Sequence, residues 1–347
     1  EIGAIEGSEE EEEEGEGGGF AADPGGLFAS GSISAPGPAP SPPGGCDSGR
    51  LTPLGHHLAA LPVDCRVAKM LVYGAMLSCL SPTLTIAACL SYKSPFLDAR
   101  SRGGERGEAS KRRLSLPASG GLAGGEQSDH LAVADAYDRW AKAVKAEGGD
   151  ASSSSSRGAH ARCAAKLGLC PETLKHVAEM RAQYASLLAD IGFLDDDAAD
   201  AAPGSRARRR SRGGGDPLGW ADAPEAAWNA DAASPRVVKA VLCAGLYANV
   251  AALGGEGKWR DVAGEVAPHP SSVLGGGGGG GSAPRAPFLA FHEKVKTSRV
   301  FVRDATVLPP EALLLFGGRM DVRHETQRVC LDGWLWLRAS AQTAVLF

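Results

Sequence analysis

Apolar positions recur at two different periods along this chain of 347 residues, and the change from one to the other divides it. Val133, Tyr137, Trp140 and Val144 follow one another at spacings of four, three and four, which puts them on one face of a helix. Leu174, Val177, Arg181, Tyr184, Leu188 and Ile191 repeat that pattern, with Pro171 placed to start the helix and Gly192 to end it. Residues 67–90 are apolar enough to suggest a membrane span, but Ser81-Pro82 interrupts them, a capping serine before a proline at the first helical position. Each half is then too short for a hydrocarbon layer of roughly 30 Å, and two packed helices are predicted. Residues 236–250 read as another helix. After them, residues 288–292, 299–303 and 335–338 alternate as strands do, and Pro309-Pro310 opens a short apolar helix to Phe316. The predicted order is mostly helical first, then a small β domain.

Composition separates these segments from the rest. The chain is 43% hydrophobic, enough for two or three small cores, yet it holds 47 glycines and only 6% aromatic residues. The excess lies in residues 6–50, 99–126, 152–156, 196–234 and 275–281, which are rich in Gly, Pro, Ser, Glu or Arg and too poor in branched apolar side chains to offset ordering entropy. They are predicted to be solvated insertions. The net charge of −5 hides an unbroken acidic run at 9–14 and five arginines within 206–212, so local charge says more about partners than the total. The arginine cluster reads equally as a nuclear signal or RNA tether and as a linker enriched by nucleotide bias, since Asn occurs only at 229 and 249. Eight cysteines are scattered without CxxC or zinc-like spacing, several in apolar helical patterns, which points to free thiols in a reducing compartment. The acidic opening has no basic start and apolar middle of a cleavable signal, so the expected location is cytoplasmic or nuclear, not secreted, with no membrane partner.

Few residues suggest chemistry. His292-Glu293 and His324-Glu325 begin like HExxH, but Lys296 and Arg328 stand where the second histidine belongs, which excludes a metalloprotease. His56-His57 reads as one surface and one core position of a helix. Ser128-Asp129-His130 reads as a helix cap made by Ser128 or Asp129, and residues 269–272 as a turn into a strand with locally satisfied hydroxyls. Trp334 and Trp336 alternate with leucines and are expected in core or interface packing. Residues 292–299 look like a strand running into a loop and back. Lys294, Lys296 and Arg299, with Thr297 and Ser298 between, are donors suited to phosphate and ribose oxygens, although a plain solvated basic hairpin has the same composition.

The wording of the ordered segments is more specific. LTPLGHHLAALPVD (51–64), LTIAACLSYKSPF (84–96), SDHLAVADAYDRW (128–140), LKHVAEMRAQYASLLADIGFL (174–194), KAVLCAGLYANVA (239–251), HPSSV (269–273), HEKVKTSRVFVRDAT (292–306), ALLLFGG (312–318) and LDGWLWLRASAQTAVLF (331–347) together resemble the C-terminal portion of a DEAH/DExH-box ATP-dependent RNA helicase, in the family's order and over roughly half the chain. The resemblance implies a multidomain α+β fold: a partial winged helix at 1–75 with insertion 6–50, a mostly α-helical ratchet bundle at 76–195 with insertions 99–126 and 148–158, a disordered linker at 196–235, and a C-terminal OB-fold β-barrel at 236–347 with a Gly-rich insertion at 275–283. KSPF and HEKVKTSR look closest to the subgroup that remodels structured messenger or ribosomal RNAs.

For function, the resemblance implies RNA contact by Lys294, Lys296, Thr297, Ser298 and Arg299 on the barrel, and by His130 on a helix that in the family faces the RNA channel. No catalytic or metal-binding residue is expected. ATP and Mg2+ belong to motor lobes upstream, because the chain has no GxxxxGK[ST] loop (Gly257-Lys258 is followed by Trp259), no Asp-Glu dipeptide and no arginine-finger motif. The partners expected are single-stranded or structured RNA, the motor lobes of the same helicase, and ribosomal or ribonucleoprotein assemblies. The leading expectation is an accessory portion that grips single-stranded RNA during unwinding; the alternatives are a stand-alone noncatalytic RNA-binding adaptor derived from such a helicase, or a defective remnant.

Overall fold

The computed structural model describes residues 51–97, 104–147, 157–194, 222–224, 226–275 and 284–338. The acidic run at 9–14, the serine run at 152–156, the arginine cluster at 206–212 and most of the glycine run lie outside the described residues. Helix α1 (Pro53–Ala60) begins where Thr52 Oγ1 accepts the Gly55 N–H at 3.0 Å.

The helical region opens with α2 (Cys65–Met76), capped by Asp64, whose carboxylate accepts the Arg66 N–H at 2.9 Å. Helix α3 (Leu80–Ser91) is buried on nearly every side between α2 and later helices, which is why its sequence shows no polar face. The break between these two helices falls at residues 77–79, earlier than the predicted Ser81-Pro82, and Ser81 is not the cap. Its N–H instead donates to Asn229 Oδ1 at 2.9 Å and its hydroxyl to Asp222 Oδ1 at 2.7 Å. A residue far along the chain thus satisfies the helix end, and Pro82 sits in the first turn, where a missing N–H costs nothing.

Helix α4 (Gly104–Leu114) and a 3-10 turn (Pro117–Ser119) occupy much of the stretch expected as an insertion at 99–126. Composition misleads here because the anchors are polar. Lys111 is buried against Asp129, and Asp135 accepts the N–H groups of Leu122 at 2.8 Å and Ala123 at 2.9 Å. Helix α5 (Asp129–Ala146) carries the predicted apolar face, with Trp140 fully buried and its ring N–H donating to the His160 carbonyl. Helices α6 (Arg157–Leu167) and α7 (Pro171–Asp190) follow, α7 starting at Pro171 and ending at Gly192, which takes φ +84°. The residue out of place in α7's apolar face, Arg181, is 1% exposed; it stacks on Tyr137, bonds Ser81 and Thr85, and pairs with Asp222. Residues 222–224 and 226–234, expected as linker, therefore supply a counter-ion and a helix cap to the bundle.

Helix α8 (Pro235–Leu246) ends four residues before its predicted limit. Gly245 lets it approach α2, since a Cβ there would run into Met70 and the Arg66 carbonyl. Strands β1 (Val250–Leu253), β2 (Trp259–Asp261), β3 (Gly264–Pro268), β4 (Phe288–Lys296) and β5 (Val300–Leu308) close into a barrel of order β1-β2-β3-β5-β4, with β3 and β5 parallel at Ala267↔Phe301. Ala251, Trp259, Val266, Leu289, Phe291, Val302 and Ala305 fill it. Each side chain of Val to Phe size removed from water contributes about 1.5–3 kcal/mol. Helix α9 (Pro310–Phe316) packs on α8. The barrel is complete by Leu308, and β6 (Met320–Arg323), β7 (Arg328–Leu331) and β8 (Leu335–Arg338) form a separate antiparallel sheet. Trp336 is 41% exposed and so lies outside the core, the first of the two places expected for it. Among the described residues, no helix is long and apolar enough to cross a membrane.

Candidate nucleic-acid interface

The β4–β5 hairpin changes character along its length. Phe288 to Phe291 are all buried, whereas from His292 onward the strand is exposed or half-buried, so its outer half stands clear of the core. Pairing continues to Lys296↔Val300, and the Thr297 N–H donates to the Arg299 carbonyl at 3.0 Å to close the turn. This puts Lys294, Lys296, Thr297, Ser298 and Arg299 together at one end of the barrel, all exposed.

Their charges are not equivalent. Lys294 Nζ donates to Asp261 Oδ2 at 2.6 Å, and the Asp261 side chain is 3% exposed, its other oxygen accepting from the Ala263 and Gly264 N–H groups at 2.9 Å each. Lys294 thus ties β4 to the β2–β3 turn. Across the way, Glu265 pairs with Lys258 at 3.2 Å. Among the described residues Lys296 and Arg299 make no ion pair, so they carry the open positive charge of the hairpin. Between hairpin and turn lies a groove of about 260 Å³ lined by Asp261, Gly264, Glu265, Lys294, Lys296 and Val300. Asp261 and Glu265 were not singled out from sequence, and an Asp-x-x-Gly turn is too common to have flagged them.

His130 lies elsewhere. It is 2% exposed and its Nδ1 shares a 2.6 Å hydrogen bond with Thr306 Oγ1, which also bonds Ser128 Oγ at 2.7 Å. Ser128 caps α5 by accepting the Leu131 N–H. Among the described residues, His130 Nε2 has no hydrogen-bond partner; it is buried beside a small cavity of about 20 Å³ that Cys89, Ser94, Asp129 and Asp304 help to line. Burial, only partly opposed by Asp304 and Asp129, pushes the imidazole down to about 4, so it is neutral near pH 7. His130 is therefore a residue of the seam between α5 and β5, withdrawn from any strand bound at the hairpin.

The same seam holds Asp129, fully buried. It accepts from Lys111 Nζ at 3.0 Å, the Val273 N–H at 2.9 Å and the Ala305 N–H at 3.0 Å. Burial alone would push the carboxyl up; the Lys111 charge and the bonds from Ser272, Val273 and Ala305 overcome it and hold the carboxyl below its ordinary value. β5 departs from regular backbone here, with Asp304 at φ +49°, a conformation aspartate tolerates better than most residues. Where β3 no longer reaches β5, residues 127 and 128 meet its edge, the Val307 N–H donating to the Gln127 carbonyl at 2.9 Å.

Three family models fall on this architecture in order. A helicase-associated (HA2) winged-helix model matches residues 46–63, a ratchet-like HA2 model 64–133, and an oligonucleotide/oligosaccharide-binding (OB)-fold model 238–320. Helix α2 thus falls on the ratchet side. The chain belongs with the C-terminal regions of the DExH-box RNA helicases. It is 37% identical over 317 residues to the chloroplastic DExH-box ATP-dependent RNA helicase DExH4 of Arabidopsis thaliana, covering 86% of this chain and 20% of the relative. The human putative ATP-dependent RNA helicase DHX57 is 37% identical over 323 residues (86% and 21%), and human ATP-dependent DNA/RNA helicase DHX36 is 32% identical over 308 (85% and 26%). The chain spans about a fifth to a quarter of the length of these relatives. Its helicase-associated and OB-fold modules make it a C-terminal accessory portion, joined through Asp129 and its partners.

Proposed function

We propose that this accessory portion grips single-stranded RNA for an ATP-driven helicase, with the β4–β5 hairpin as the contact. One observation carries the reading: Lys296 and Arg299 project from the open end of an OB-type barrel, with no ion pair among the described residues, beside a groove whose own carboxylates are already engaged. OB-folds hold single strands along such faces and loops. In this reading Lys296 and Arg299 neutralise phosphates, and Thr297 and Ser298 supply hydroxyls for ribose or phosphate oxygens. Lys294 positions the hairpin through Asp261. Motor lobes holding ATP and Mg2+ drive the strand, and the seam at Asp129 keeps barrel and bundle in one register as it passes.

The test is binding of a labelled oligouridylate at several salt concentrations. Each phosphate neutralised contributes about −0.7 to the slope of log affinity against log salt. Lys296→Ala with Arg299→Ala should make the slope shallower by about 1.4 and weaken binding to all sequences alike, without lowering thermal stability. Unchanged affinity and slope would remove the hairpin from the interface.

A further inference from the structure

The three-stranded sheet after the barrel has two unlike faces. Its register sets Met320, Leu331 and Leu335 in one cross-strand row and Val322, Val329 and Leu337 in another; these share a face and are mostly buried. The opposite face carries a row made entirely of arginine, Arg323↔Arg328↔Arg338, all three exposed. Like charges opposed across neighbouring strands, about 5 Å apart, destabilise a sheet. Among the described residues none of the three makes an ion pair. The Arg323 guanidinium lies 4.9 Å from the ring centroid of Trp336, which stands on the same face and remains 41% exposed. Trp336 stands opposite Cys330, which is 3% exposed on that face, and still keeps 41% of its own surface open beside the unneutralised arginine row.

We propose that this face is a second site for single-stranded nucleic acid, in which Arg328 and Arg338 hold phosphates and the Trp336–Arg323 pair receives a base. The chemistry fits both parts of such a ligand. The arginine row complements a polyanion and relieves its own repulsion on binding, and indole and guanidinium planes are the surfaces on which unstacked bases lie. The only acid on the same face of these strands, Asp321, is left facing Arg319 at 4.0 Å. The site lies outside the residues matched by the OB-fold model, which ends at 320, and is distinct from the β4–β5 hairpin.

The experiment uses the full chain and the same labelled oligouridylate, with Arg328→Gln/Arg338→Gln, Trp336→Leu and Trp336→Phe, each in the parent and in the Lys296→Ala/Arg299→Ala background. The arginine pair should make the salt slope shallower by about 1.4 in both backgrounds. Trp336→Leu should weaken binding about tenfold with the slope unchanged, and Trp336→Phe should restore most of it, since stacking needs only an aromatic face. Melting temperatures should stay at the parent value, which separates lost contact from lost fold. If the sheet variants bind like the parent while the hairpin variant is defective, this proposal fails and the hairpin reading stands; the reverse result sinks the hairpin reading alone. If the arginine pair lowers binding of polyglutamate but not of oligouridylate, the face belongs to an acidic protein and the proposal is wrong.

Discussion

Consider Asp129→Ala. The substitution removes the carboxylate that Lys111 Nζ meets at 3.0 Å, in a place where the lysine side chain is 8% exposed, and strips the Val273 and Ala305 N–H groups of their acceptor. Losing one partner of a buried ion pair costs about 3–5 kcal/mol. Each orphaned buried amide adds about 1–3 kcal/mol when nothing replaces the acceptor. The contributions overlap, because Asp304 stands 3.9 Å from Lys111 and can turn toward it. A net loss of about 4–6 kcal/mol follows. For a folded region of this size that corresponds to a melting point lower by about 10–20 °C. Urea denaturation followed by circular dichroism measures it. Lys111→Met in the Asp129→Ala background should return about 2–3 kcal/mol by removing the stranded ammonium, whereas Lys111→Met alone should destabilise. A loss below about 1 kcal/mol for Asp129→Ala, or no recovery in the double variant, would refute the claim that this carboxylate joins bundle to barrel.

Other expectations are open to direct measurement. His130 is held at about 4 when folded against an ordinary 6.5, so between these values the unfolded chain binds more protons; the associated stability is fully present above pH 6.5 and is lost as pH falls toward 4. His130→Gln should flatten that part of the urea midpoint against pH, and parallel profiles for parent and variant would contradict it. Asp222→Ala should cost about 2–4 kcal/mol by leaving buried Arg181 without a carboxylate, somewhat less than a fully buried pair because Asp222 is 33% exposed; an unshifted urea midpoint would show that Ser81 and Tyr137 suffice. Lys294→Met should lower stability by about 1–2 kcal/mol while leaving the RNA salt slope nearly unchanged, since that lysine is engaged with Asp261; a slope change matching that of Lys296→Ala would overturn the distinction.

Legibility in the sequence followed the kind of anchor each element uses. Helices α5 and α7 announced themselves because Val133, Tyr137, Trp140 and Val144, and Leu174 through Leu188, bury apolar faces at helical spacing. Helix α4 did not, because GERGEASKRRL has no apolar side chains besides Ala109 and the terminal Leu114, and its holding contact, Lys111 to Asp129, joins positions no periodicity connects. The barrel's first three strands were equally hidden, since β2 has only three residues and β1 only four. The basic hairpin was legible as a group of donors. The engagement of Lys294 by Asp261, and the burial of His130, depend on neighbours 33 and 176 positions away and had no local sign. The arginine row escaped notice for a similar reason: Arg323, Arg328 and Arg338 become a row only through register.

The long reach of these anchors also sets a timetable for synthesis. The first turn of α3 takes its cap from Asn229, 148 residues after Ser81, and Asp129 receives the N–H of Ala305, 176 residues after Asp129 itself. At about 5–20 residues per second, each interval leaves the bundle waiting roughly 7–35 s for the group that completes it. During that time the end of α3 lacks its distant cap, and Asp129 lacks the Ala305 N–H. A nascent chain paused between residue 146, where α5 ends, and residue 300, where β5 begins, would hold Asp129 without the Ala305 N–H that completes the seam.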